Sequence, residues 1–218
     1  MTTSYRAPFA SDGPHAIDAE IARKLLATAL SAGGDYADLY FEYRASGSFS
    51  YEEGLLKSAG RGTNLGLGVR VLKGEATGYA YTESLELDAM MNAAKTAGQI
   101  AAGGGGPAVS TLNHKPLPSR YPVEQVSLEI PGADKRQMLR RADQAARAYD
   151  SRITKVQASL TEEIREILVA TSDGVLVTDR QPLMRIGVSA VAEDGDLRQT
   201  GSSGGGGRMG FEYFLSQG

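Results

Sequence analysis

The residues best able to do chemistry lie late in the chain. Gly201-Ser-Ser203-Gly-Gly205 opens a four-glycine run, Gly204 to Gly207, which Arg208 and Glu212 follow. The first block has the Gly-x-Ser-x-Gly spacing of a serine nucleophile. A nucleophile elbow needs a strand, a sharp turn at the serine and a helix, with an acid and a histidine later in the chain. Here more glycines follow, and no histidine lies beyond His114, so the hydrolase reading fails. Phosphate binding fails on context as well. Gly204 to Gly207 lacks the Gly-Lys-Ser/Thr that seats a phosphate, Gly66-x-Gly68 has Val71 where a third glycine belongs, and Gly103-x-Gly105 follows a helical segment.

Metal chemistry finds no better footing. A catalytic zinc takes about three protein ligands, and this chain has two histidines, His15 and His114, and no cysteine. The paired acids Glu52-Glu53 and Glu162-Glu163 sit in strand-like segments, where neighbours point to opposite faces. No catalytic residue, metal ligand or cofactor site is therefore assigned. What remains is main chain. A glycine run leaves amide groups without side-chain obstruction, free to pair with an extended peptide as a strand would. Arg208 can hold a carboxylate or a peptide carbonyl, the plainer alternative being a solvated arginine at a loop end. Gly204, Gly205, Gly206, Gly207 and Arg208 are the candidate substrate path, read as a loop.

Several elements must position that loop. Residues 1–14 read as a flexible arm. Ile21, Leu25, Leu26, Ala29 and Leu30 recur at helical spacing over 15–32, closed by Gly33-Gly34. The period then changes to two: Leu39, Phe41 and Tyr43 alternate with polar residues over 36–44. Strands are expected at 48–58, 65–71 and 77–82, and a second helix over 84–101, before the glycines Gly103 to Gly106. Residues 107–131 hold five of the eight prolines and read as a connection between two lobes. Asp134 and Gln137 have capping-box spacing for a third helix to Tyr149, with Met138, Leu139, Ala142, Ala145, Ala146 and Tyr149 inward. Strands at 153–162, 164–171, 175–180, 183–192 and 197–201 make an antiparallel meander. The fold class is α+β, with a lobe at 15–106, a second at 132–201 and a glycine-rich segment at 202–218.

Composition sets the frame. At 218 residues the chain can bury a sizeable core, and the absence of cysteine removes disulfides and thiolate chemistry. No apolar run reaches the length of a membrane span, and Met1-Thr-Thr-Ser-Tyr-Arg-Ala-Pro8 lacks the apolar core of a signal peptide. A net charge of -3 with interspersed signs gives no footprint for nucleic acid. A cytoplasmic protein without nucleic-acid or membrane partners is expected.

Four blocks together carry a resemblance: Tyr36-Ala-Asp-Leu-Tyr-Phe-Glu42; Gly66-Leu-Gly-Val-Arg70 with Gly74-Glu-Ala-Thr-Gly-Tyr-Ala-Tyr81; Ala170-Thr-Ser-Asp-Gly174; and Ser203-Gly-Gly-Gly-Gly-Arg-Met-Gly-Phe-Glu-Tyr-Phe214. In this order they resemble the TldD/PmbA family of zinc metallopeptidases, and the last block is similar to the TldD-type subunit. The resemblance implies a cytoplasmic peptidase for unfolded or flexible peptides, paired with a PmbA-type subunit. It also implies a zinc motif, His-Glu-x-x-x-His with a later cysteine, beyond Gly218. This chain is then expected to wall a peptide channel and contact the partner, while binding no zinc and cleaving nothing alone. Phe211, Tyr213 and Phe214 would lie exposed where a catalytic half belongs. The alternative is a naturally short paralogue that binds peptides or a partner without cleaving.

Overall fold

The computed structural model describes residues 5–101 and 108–216; the glycines Gly103 to Gly106 lie outside them. Helix α1, Ala19–Leu30, starts where the Asp18 carboxylate accepts the Ile21 N–H at 2.8 Å. It ends where Gly33 adopts φ 102° and donates its N–H to Leu30. Strands β1, Tyr36–Glu52, and β2, Leu55–Lys73, form one long hairpin, closed by Glu53 and Gly54 at φ 52° and 77°. Glu53 is therefore a turn residue and not a strand neighbour of Glu52. Strand β3, Ala76–Thr82, returns along β2, and helix α2, Leu87–Ala101, packs over both. Two glycines allow this close packing. A Cβ on Gly98 would lie 2.3 Å from the Ala29 carbonyl oxygen, and one on Gly78 would lie 2.0 Å from that of Ala97.

After the proline-rich crossing come the two-residue strand β4, Asn113–His114, a 3-10 turn at Ser127–Glu129, and helix α3, Gly132–Tyr149. Strands β5, Ile153–Thr171, β6, Val175–Asp194, and β7, Leu197–Gly207, follow, then the short helix α4, Glu212–Ser216. The fold is α+β. All strands share one sheet in the order β3-β2-β1-β5-β6-β4, with β7 also paired to β6. Every pairing is antiparallel except β4 with β6. The two expected lobes thus meet through the β1–β5 ladder inside a single sheet.

The expected sheet face is the core. Leu39, Phe41, Tyr43, Leu67, Val69 and Val71 are all buried, with Leu39 opposite Val69 and Phe41 opposite Leu67. A second apolar cluster of Phe49, Tyr51, Leu139, Ala158, Leu160, Met184 and Phe211 continues it on the same face under α3 and α4. Among the described residues the other face of the sheet carries no helix.

Several expectations need correction. The strands are longer than alternation suggested: 153–162 and 164–171 are one strand, as are 175–180 and 183–192. Helix α3 has Pro131 at its N-cap without a side-chain bond, so Asp134 and Gln137 form no capping box. Its buried positions are Lys135, Leu139 and Asp143, while Ala145 is exposed and Tyr149 is 88% exposed. The N-terminal arm is docked from Tyr5: Ala7 and Phe9 are buried, and the Phe9 ring lies 5.6 Å from that of Phe41. Phe211 is 4% exposed in the second cluster, and Phe214 packs against it, so the final aromatics are largely covered by the chain itself.

Candidate functional site

The glycine run is not a loop. Gly204 to Gly207 are the last residues of β7, paired with Gly187, Ile186, Arg185 and Met184 of β6. Two of these glycines are demanded by the close approach of β7 to its neighbour. A Cβ on Gly204 would stand 2.6 Å from the Ile186 carbonyl oxygen, and one on Gly206 would stand 2.0 Å from that of Met184. Gly206 also has φ 147°, a backbone conformation open in practice to glycine alone. Gly205, by contrast, has open space where a side chain would go. Among the described residues β7 pairs with β6 alone, so its outer edge presents main-chain donors and acceptors without a strand partner there.

Arg208 leaves the end of β7 and turns back over the sheet. Its Nη1 donates to Gln181 Oε1 at 2.6 Å, and its guanidinium sits 5.1 Å from the centre of the Tyr121 ring. Glu212 does not meet Arg208. Its carboxylate accepts the N–H groups of Glu124 at 3.3 Å and Gln125 at 3.0 Å, while Phe211 N–H donates to the Gln125 carbonyl. Burial acts to raise the Glu212 carboxyl, but the backbone N–H groups of Glu212, Gln125, Glu124 and Gly210 outweigh it and hold the carboxyl below its ordinary range. Glu212 therefore tethers α4 to the 124–125 segment.

The histidines stay apart. His15 is exposed, its N–H held by the Pro8 carbonyl. His114 borders a cavity of about 270 Å³ with Arg6, Phe9, Glu166 and Arg180. Among the described residues no group of three or more His, Asp or Glu side chains is placed to hold a metal ion, so the donor set here does not fit a resident zinc.

Two buried carboxylates escaped the sequence reading. Glu162 lies with Lys135 Nζ 2.5 Å from its Oε1 and the Ser127 hydroxyl on its Oε2, both charged side chains fully buried. Glu166 is ion-paired with Arg180, Nε at 2.8 Å, and with Arg6, Nε at 3.6 Å, and its Oε2 accepts the Ala7 N–H at 3.0 Å. A signal was present. Along β5, Val156, Ala158, Leu160, Glu162, Ile164, Glu166 and Leu168 share one phase, so both acids occupy core positions. A carboxylate there must be matched by cations from other elements.

The sequence pattern of PmbA/TldA metallopeptidase domain 1 matches residues 37–101, and that of the PmbA/TldA metallopeptidase central domain matches 126–218. A metalloprotease TldD homolog of Buchnera aphidicola (subspecies Acyrthosiphon pisum) is 36% identical over 187 residues, covering 84% of this chain. The chain spans 38% of that relative's length. A solved structure from Thermotoga maritima shares the fold with a TM-score of 0.66 at 20% identity, covering 87% of this chain and 43% of its own. TldE from Thermococcus kodakarensis does so with a TM-score of 0.63 at 16% identity, covering 86% and 43%. With both domain patterns in order along one continuous sheet, the chain belongs to the TldD/PmbA metallopeptidase family.

Proposed function

We propose that this chain is the N-terminal part of a TldD-type zinc metallopeptidase that cleaves unfolded or flexible peptides in the cytoplasm. In this reading it walls a peptide channel and contacts a PmbA-type partner, and the zinc site His-Glu-x-x-x-His belongs to a catalytic part outside residues 1–218. The observation that carries the reading is the outer edge of β7, a glycine-rich strand of the single sheet, within the stretch that matches the central domain of a metallopeptidase family. Such an edge recognises an extended backbone and ignores side chains, which suits substrates lacking folded structure. Gly204, Gly205, Gly206 and Gly207 supply the edge, and Arg208 stands at its end. The chain's own residues here orient and hold; they move no proton.

A protein extended through the catalytic part should degrade a reduced, carboxymethylated protein, and a chelator should stop it. Residues 1–218 alone should not cleave. Stoichiometric zinc and chelator-sensitive cleavage by residues 1–218 would overturn the reading.

A further inference from the structure

The helix-free face of the sheet carries a row of side chains fixed by strand register. Asn64 of β2 stands opposite Arg44 of β1, Arg44 opposite Arg165 of β5, and Arg165 opposite Gln181 of β6. Arg208 reaches this row from the end of β7. The charges in it do not balance. Arg44 has a carboxylate, Glu163, at 3.3 Å from its Nε. Arg165 and Arg208 have none within 4.0 Å among the described residues. Both donate to the same neutral atom, Gln181 Oε1, and Arg165 Nε is buried with no acceptor. Gln181 is committed in that orientation, because its Nε2 donates to Asp179 Oδ2 at 2.7 Å. Asp179, two positions along β6, is engaged by that amide and forms no ion pair with Arg165 or Arg208 among the described residues.

Like charges directly opposite one another on neighbouring strands repel, and a buried guanidinium N–H without an acceptor costs free energy. The missing element is an anion with two oxygens in a plane, which matches the guanidinium fork. Beside the row, Ser46, Ser48, Gly60, Gly62 and Thr161 form a low trough, bounded by Glu163, which is held by Arg44, and by Leu183. That floor admits a chain lying flat on the sheet.

We propose that the Arg165–Gln181–Arg208 cluster is a binding site for a carboxylate carried by an extended peptide. The cradle follows from the cluster alone; the choice of a peptide as carrier rests on the function proposed above. The carboxylate is either a chain terminus or an acidic side chain, and the two are separable by experiment.

Residues 1–218 would be titrated, with fluorescence anisotropy as readout, against three dye-labelled peptides. They are Gly-Ser-Gly-Ser-Gly as the free acid, its C-terminal amide, and an amide carrying glutamate at the centre. At least one carboxylate form should bind about tenfold or more tighter than the neutral amide, as one charge-assisted pair predicts. Preference for the free acid identifies a terminus, and preference for the glutamate peptide identifies a side chain. Combined Arg165→Gln and Arg208→Gln should erase the preference, while Arg140→Gln on the exposed side of α3 should keep it. Gln181→Glu supplies the missing carboxylate internally, so it should erase the preference and raise the melting temperature. Equal affinity for all three peptides, or a lowered melting temperature in Gln181→Glu, would overturn the proposal. Neither result depends on whether an extended protein cleaves peptides.

Discussion

Lys135 and Glu162 show how much one residue can decide. The pair is fully buried, 2.5 Å apart, with Lys135 Nζ also 5.2 Å over the Phe49 ring. Gly47 makes room for it, since a Cβ there would fall 2.6 Å from Glu162 Oε1. Burial pushes the Lys135 amine below its ordinary value, and the Glu162 contact opposes the shift. Breaking a buried pair leaves an uncompensated charge, so Glu162→Gln should lose about 3–5 kcal/mol in urea unfolding. Lys135→Met with Glu162→Leu should come close to the parent, because nothing charged is then left inside. Equal losses in the single and double variants would mean that the pair does not act as a unit. Glu212 gives a pH signature. Its folded-state pKa is depressed, so its stabilisation is present above the ordinary carboxylate value and is lost as pH falls through the lowered one. Protection of the Glu124 and Gln125 amides, relative to their intrinsic exchange rates, should fall across that acid window in the parent and be low throughout in Glu212→Ala.

At the scale of the element, β7 separates glycines that look equivalent in the sequence. Gly206→Ala meets the Met184 carbonyl oxygen and a φ of 147°, so it should cost about 1–3 kcal/mol. Gly205→Ala has open space, and a change within about 1 kcal/mol is expected, with a gain from the stiffer unfolded chain permitted. Thermal melts of the two variants distinguish these cases, and similar midpoints would contradict the register of β6 with β7. Gly205→Ala is thus the variant for testing peptide cleavage in an extended protein, since an effect there is not a folding defect.

At the scale of the molecule, the sheet is covered on one face and open on the other. Tyr79 and Tyr81 project from β3 opposite Arg70 and Gly68 on the open side, strongly exposed. Residues 55–64 of β2 and all of β7 run along outer edges, and both stretches are exposed on both faces over most of their length. Long unblocked edges template further pairing. Residues 1–218 should therefore self-associate with rising concentration, through the edges instead of the final aromatics, which are packed. Ser202→Lys on β7 should reduce that association in analytical ultracentrifugation, whereas an unchanged profile would remove the β7 edge as the cause.

The sequence by itself determined helices α1 and α2, the α+β class and the core face of β1 and β2. In each, apolar residues repeat with the period of the element, and burial follows the period; in α3 the helix was legible but its buried face was not. It also placed Glu162 and Glu166 in the apolar phase of β5, although their meaning required knowing who stands opposite. Strand length was not legible. Ser46 to Ser48 and Ala59 to Thr63 have no apolar alternation, and only pairing with β1, β2 and β5 holds them extended. The convergence of Arg165, Gln181 and Arg208 was equally hidden. They come from three successive segments of the meander, and it is the antiparallel register, one residue opposite another across a ladder, that brings them together. Local chain chemistry sets the period of an element; which side chains meet across strands depends on long-range hydrogen bonding that no single segment encodes.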